Sequence, residues 1–281
     1  MIEVPEAWAE AAARIGAASW RRLAVLGERD QGKSTFCRVL LERLDASGAA
    51  AWLLDADVGQ KMIGPPACVT LAEAQAGGAL ALRRIRFVGE MNPALAMPAT
   101  VAAAARLSRL EGPARLVVNT SGLVAGPGVA LKRWTLEALD PELIVSVGES
   151  EALDAILAAQ SPDRLIRLAP APAARRKSGR AREASRLAAF REVFRGAAWR
   201  SVAWAFVEDL HRPPPPPADR LRLCGLANRA GEDLTIGLFD PHNRWVMSSA
   251  EPARVHRIRL GMAAPDELLR ALFGDARPVS A

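Results

Sequence analysis

Lys33, Ser34 and the paired carboxylates Asp55 and Asp57 have the types and spacing to handle a nucleoside triphosphate. The first two end the stretch Gly27-x4-Gly32-Lys33-Ser34-Thr35. Two glycines at this spacing allow a tight loop whose backbone N–H groups point inward at an anion, and the following helix adds its positive N-terminus. In such a loop, Asp30, Gln31 and Gly32 lie against the phosphates. Lys33 meets the β- and γ-phosphates, and the Ser34 hydroxyl holds Mg²⁺, with Thr35 beside it. The alternative is a chance glycine-rich turn. It must also explain the apolar strand Leu23 to Leu26 before the loop and the helically spaced Phe36, Val39, Leu40 and Leu44 after it.

The carboxylates close a second apolar strand, read as Ala49 to Asp57. Residues two apart on a strand share a face, so Asp55 and Asp57 are expected to converge at the carboxyl edge of the sheet, where open α/β sheets bind ligands. One could order water around Mg²⁺ while the other accepts a proton from an attacking hydroxyl. Turn-forming or helix-capping aspartates are the competing reading. Val58-Gly-Gln60 follows directly, which makes the pair more than a generic acidic strand end. A third strand, from Arg115, ends in Asn119-Thr-Ser-Gly122. Thr120 and Ser121 are either substrate contacts or simple turn hydroxyls, and spacing leaves both readings open.

Positioning these groups needs alternating strands and helices. The pattern predicts an amphipathic helix over Glu3 to Gly16, strands at Ala81 to Val88, Leu143 to Val147 and Leu165 to Leu168, and a short extended piece ending at Leu71. It predicts helices from Asn92-Pro93 to about Leu110, over Leu131 to Leu139, and over Glu151 to Ala159. Such alternation implies right-handed crossovers around a mainly parallel sheet covered on both faces. The expected class is α/β, a three-layer phosphate-loop NTPase fold with a small C-terminal β-rich appendage.

The 281 residues, half of them hydrophobic and 24% charged, suit a globular protein. No apolar run approaches the ~20 residues that span a bilayer. The acidic N-terminus does not read as an export signal, so the expected location is cytoplasmic. Cys37, Cys68 and Cys224 are far apart, as are the three histidines, which argues against a zinc site or disulfide framework. Buried apolar roles suit the thiols better.

The formal charge of +6 is concentrated locally: nine basic residues between Arg175 and Arg200 face Glu183 and Glu192. A helix from about Arg180 to Phe194 carries Leu187, Phe190 and Phe194 at helical spacing, with arginines around the rest. The bland reading is a solvated face. The functional one is a lid at about residues 175–195 that closes arginines over a transferring phosphoryl group. Trp199 to Leu210 reads as a strand, Pro213 to Pro217 as a stiff spacer, and Leu221 to Leu226, Leu234 to Phe239, Arg244 to Met247 and Val255 to Leu260 as short strands. The expected units are an N-terminal helix (1–20), a phosphate-loop domain (21–200) and a β-rich C-terminal domain (201–281).

Together, the glycine loop, Asp55-Ala-Asp57-Val-Gly-Gln60, Asn119-Thr-Ser-Gly122 and Lys177-Ser178-x3-Arg182 resemble the polynucleotide 5′-hydroxyl kinase family. These RNA-end kinases occur with messenger-RNA cleavage, transfer-RNA splicing and ribosomal-RNA processing machinery. The resemblance covers roughly residues 21–200 and, more weakly, the C-terminal β segment. It implies transfer of the ATP γ-phosphate to the 5′-hydroxyl of RNA, with DNA as a second acceptor. It further implies that Lys33 and Ser34 bind ATP and Mg²⁺, that Asp55 assists the metal shell and that Asp57 is the general base. Lys177 and Arg182 would stabilise the migrating phosphoryl group, with Gln60, Thr120, Ser121, Arg176 and Arg186 on the substrate side.

Two positions depart from the family pattern. Leu123 stands where eukaryotic members have a tryptophan that clasps the nucleic-acid end, removing base stacking worth ~1–3 kcal/mol there. Lys177 replaces the usual arginine, supplying charge without the planar fork. The family's N-terminal β domain has no counterpart before residue 21, so the expectation is a minimal, prokaryotic-type member. An ATP-binding scaffold for an RNA-processing partner is the alternative from another class. A GTP switch lacks its Asn-Lys-x-Asp element, and the basic segment argues against a small-molecule kinase.

Overall fold

β1 (Arg22–Gly27) runs through the middle of the molecule with almost every side chain buried. Leu23 and Val25 face one hydrophobic layer, and Ala24 and Leu26 the other. A strand covered on both faces reads as a continuous apolar run. The computed structural model describes residues 4–109, 115–172 and 174–193, together with the strands 207–209, 224–230, 233–239 and 256–260.

β1 is flanked by β5 (Arg115–Asn119) and β6 (Leu143–Val147), both parallel to it. β2 (Ala51–Asp55) pairs with β5, and β7 (Leu165–Leu168) with β6, again parallel. β3 (Cys68–Ala74) and β4 (Leu80–Phe87) then add antiparallel strands beyond β2, giving the order β4-β3-β2-β5-β1-β6-β7.

One face is covered by α1 (Glu6–Ala17) and α2 (Lys33–Ala46), which bury Trp8, Ile15, Phe36, Leu40 and Leu44 against Leu53, Val117 and Val145. The other is covered by α3 (Met97–Ser108), α4 (Pro127–Leu139) and α5 (Glu151–Leu157), through Leu107, Leu136, Leu139 and Ile156. This is the expected three-layer α/β sandwich with a mostly parallel sheet. Cys37 and Cys68 are buried and free within it. Among the described residues, no helix is long and apolar enough to cross a membrane.

The single helix expected from Asn92-Pro93 is divided. The Asn92 side chain caps a 3₁₀ turn over Pro93–Leu95, Ala96 breaks the helical path, and α3 restarts with Pro98 in its first turn. Proline suits the first turn, where its missing N–H removes no bond.

The basic helix is α6 (Gly179–Val193). Farther on, β8 (Val207–Asp209), β9 (Cys224–Ala230), β10 (Asp233–Phe239) and β11 (His256–Leu260) form an antiparallel sheet in the order β8-β11-β10-β9. The reading over Arg244 to Met247, the proline spacer and most of Trp199 to Leu210 lie outside the described residues.

Candidate phosphate-binding site

The turn after β1 needs glycine at both ends. Gly27 has φ 148°, and a Cβ on it would lie 2.4 Å from the Val147 carbonyl oxygen. Gly32, at φ 99°, caps α2, and a Cβ there would lie 2.6 Å from the Trp8 ring. No side chain caps the first turn of α2 and no acidic residue lies in it. The N–H groups and the positive helix end therefore remain available to an anion.

Lys33 is 6% exposed, and its Nζ donates to the Glu28 carbonyl within the loop. Burial lowers its pKa from the ordinary lysine value, and the charge of Asp57 is the strongest influence opposing that shift. The loop lysine and the second carboxylate of the pair thus belong to one electrostatic unit. Gln31 packs beside Gly148, at the end of β6.

The carboxylates do not share a strand face as their spacing suggests. β2 ends at Asp55, and Ala56 N–H donates to the Asn119 carbonyl. Asp57 lies in the following turn, where its Oδ1 accepts from Gly59 N (2.9 Å) and Gln60 N (3.0 Å). A turn aspartate that bonds its own chain two and three residues on ends a strand readily. Because both turn bonds use Oδ1, the turn leaves Oδ2 unused.

Asp55 is fully buried and heavily engaged. Its Oδ1 accepts from Asn119 Nδ2 (3.0 Å) and Asp57 N (3.3 Å), and its Oδ2 from Met62 N (2.6 Å). Lys61 completes the set, with Nζ 3.2 Å from Oδ2 and donating to the Asp55 carbonyl at 2.6 Å. Direct ligation of Mg²⁺ by Asp55 does not fit this arrangement, because protein donors occupy both oxygens. Ser34, in the open first turn of α2, does fit a magnesium–triphosphate.

The Asn119-Thr-Ser-Gly122 turn sits against the loop. Thr120 Oγ1 donates to the Val25 carbonyl at 2.8 Å, and the Ser121 hydroxyl accepts from Lys132 Nζ at 2.9 Å. Both residues are 2–3% exposed, and their hydroxyls bond within the protein.

The basic segment meets the same loop. Ser178 caps α6 by accepting from Ala181 N, and one turn later Arg182 forms an ion pair with Asp30. Lys177 N also donates to Asp30 Oδ2 (3.2 Å), and Gln60 Nε2 donates to the Arg182 carbonyl (3.4 Å). Asp30, Gln60, Lys177 and Arg182 are therefore brought together. The Lys177 and Arg176 side chains are exposed. Arg186 is half-buried, and that burial lowers its guanidinium pKa.

Three residues escaped the sequence reading. Trp8 roofs the loop: its ring covers Gly32 and packs edge-on against Phe36, and its Nε1 donates to the Ala169 carbonyl at 2.9 Å. A tryptophan in an alanine-rich helix was the available signal. Lys61 follows Gln60 directly. Lys132 stands out as a lysine within the apolar stripe Leu131, Leu136 and Leu139 of α4.

The chain is 32% identical over 183 residues to a polyribonucleotide 5′-hydroxyl-kinase of Pyrococcus furiosus, covering 63% of this chain and 51% of that protein. It is 31% identical over 142 residues to one of Methanocaldococcus jannaschii, covering 48% of this chain and 39% of the relative. The chain thus spans about half the length, or less, of these curated relatives. In fold, it matches Clp1p from a solved complex of wild-type Clp1p with Pcf11p, with TM-score 0.52 and 11% identity, covering 81% of this chain and 57% of that one. The family model described as mRNA cleavage and polyadenylation factor CLP1 P-loop matches residues 27–196, from the glycine that opens the phosphate loop to just past α6, and the chain belongs to that family.

Proposed function

We propose that the chain is an ATP-dependent polynucleotide 5′-hydroxyl kinase. It transfers the γ-phosphate of ATP to the 5′-hydroxyl end of RNA, with DNA ends as a second acceptor class. The observation that carries this reading is the grouping around one loop: buried Lys33 in the field of Asp57, with lid residue Arg182 paired to Asp30. The names of the curated relatives support the choice of acceptor.

In this reading, the backbone from Gly27 to Thr35 and the Lys33 ammonium hold the β- and γ-phosphates. Asp57 accepts the proton of the 5′-hydroxyl as its oxygen attacks the γ-phosphorus and the bond to the ADP oxygen breaks. Arg182 leaves Asp30 for the transferring phosphoryl group, aided by Lys177. Arg176, Arg186 and Gln60 face the polynucleotide. Ser34 would hold Mg²⁺, which would supply charge neutralisation at the triphosphate, and Asp55 orders the ends of β2 and β5 through Asn119. We place the reaction in the cytoplasm, where ATP and RNA meet.

The test is a panel of 5′-hydroxyl RNA, DNA and duplex oligonucleotides with labelled ATP. Transfer is expected to RNA, to be lost in Lys33→Ala, and to fall by about 10²–10⁴ in Asp57→Asn if that carboxylate is the base. Bound ATP with no labelled product on any acceptor would overturn the reading. It would favour a nucleotide-retaining scaffold, for which Leu123 at the clasp position is the motivating feature.

A further inference from the structure

One buried amine, that of Lys132, takes no part in the proposed transfer. Lys132 is 1% exposed in the middle of α4, and among the described residues it has no carboxylate within ion-pairing distance. Its Nζ instead donates twice to one residue, to the Ser121 carbonyl at 2.6 Å and the Ser121 hydroxyl at 2.9 Å. Ser121 precedes Gly122, where a Cβ would lie 2.7 Å from the backbone nitrogen of Arg29, inside the phosphate loop. The lysine, the turn and the loop are therefore in serial contact.

A buried ammonium without a counter-ion is costly, and a neutral donor could hold Ser121 at less expense. The position makes chemical sense when an anion of several charges arrives nearby. We propose that Lys132 is a positioning residue of the phosphate site, a cationic clamp on Ser121 that locks the Asn119–Gly122 turn against the phosphate loop when the nucleotide's phosphates are in place. This deepens the kinase reading and rests on it for its consequence in turnover.

The charged groups that reach the amine support the proposal. Burial, and then the charge of Lys33 on α2, lower the Lys132 pKa to about 7, while Asp57 in the turn after β2 acts in the opposite direction. Near neutral pH the free protein therefore holds a mixed population of neutral and charged amine. Phosphate oxyanions entering beside Lys33 favour the charged form. Its hydrogen bonds to Ser121 are then charge-assisted, roughly twice as strong as those of the neutral amine. Nucleotide binding should draw a proton onto Lys132 and tighten the turn in the same event.

The experiment measures calorimetrically the protons taken up at pH 7 when the full chain binds a non-hydrolysable ATP analogue with Mg²⁺, in buffers of different ionisation enthalpy. Wild type is expected to take up more than Lys132→Met, by up to about half a proton. Lys132→Arg, charged throughout, should match Lys132→Met in uptake but retain more turnover. Lys132→Met should lower kcat by ~10–100-fold with a smaller change in the KM for ATP. Ser121→Ala keeps the carbonyl acceptor and should lower kcat in the same direction by less, which serves if Lys132→Met does not fold. Equal uptake by wild type and Lys132→Met, or an unchanged kcat in Ser121→Ala, would overturn the proposal. The uptake needs no acceptor strand, so a chain that binds the analogue but transfers nothing would sink the kinase reading while leaving the clamp measurable.

Discussion

The Arg182 guanidinium closes on the Asp30 carboxylate, so α6, the proposed lid, and the phosphate loop share one partly buried ion pair. Incoming phosphates would compete with Asp30 for that arginine. Asp30→Asn removes the competing charge and keeps a side chain that tolerates the positive φ of 61° at this position. The expected outcome is faster proteolysis at residues 174–182 without nucleotide, full protection on adding ATP, and ATP binding unchanged or tighter by a few-fold. An unchanged cleavage rate in the free protein would show that the pair does not latch the lid.

Lys61 and Asp55 make a second ion pair, with both side chains essentially inaccessible to water. Removing one partner from such a pair leaves a buried charge uncompensated, at a typical cost of about 3–5 kcal/mol. Lys61→Met should lower stability by that order in urea unfolding. A loss under about 1 kcal/mol would mean that the Asn119, Asp57 and Met62 donors already compensate the Asp55 charge.

Cys37 and Cys68 should resist alkylation. Burial raises both thiol pKa values, that of Cys68 to about 12, so neither is a thiolate at pH 8 in the folded protein. Peptide mapping after iodoacetamide treatment should find both unmodified until denaturant is added. The sign for stability follows: in unfolded chains these thiols ionise near their ordinary value, so stability is full below it and declines as pH rises toward the folded value. Modification of Cys68 in native protein at pH 8 would contradict the burial argument.

Trp8 links α1 to the cradle through Gly32 and Ala169. Trp8→Phe keeps an aromatic ring but loses the indole bond and opens space over Gly32. It should raise the KM for ATP several-fold more than it lowers kcat. Trp8→Ala should also destabilise the chain by about 3–5 kcal/mol. Equal ATP affinity in Trp8→Phe and wild type would reduce α1 to ordinary packing.

The central strands were legible because parallel strands buried on both faces leave apolar runs, unbroken from Leu23 to Leu26 and interrupted only by Ser146 from Leu143 to Val147. The phosphate loop was legible because its backbone demands glycine at two fixed positions. The Asp55–Asp57 relationship was not, because alternation holds only while the strand continues, and the Asp57 side chain ends it by bonding to Gly59 and Gln60. Lys61, Lys132 and Trp8 were missed for a shared reason. Their partners lie on other elements or in turns whose folding the sequence alone does not specify, and 161 positions separate Trp8 from Ala169. Helix α6 could be read from Leu187 and Phe190, whereas its pairing with Asp30 could not, because ion-pair partners carry no periodic signal.

The bond from Trp8 to Ala169 also bears on how the protein comes to exist. The roof of the cradle sits near the start of the chain, and its anchor follows the last strand of the large sheet. A ribosome releasing this chain exposes α1, the glycine loop and α2 long before residue 169 is available, so the early segment cannot complete its roof alone. Closing so long a loop carries an entropic cost that the whole sheet must meet together. The Trp8 roof is therefore expected to add to ATP affinity only once β7 has docked, while α6 and the second sheet are still to be made.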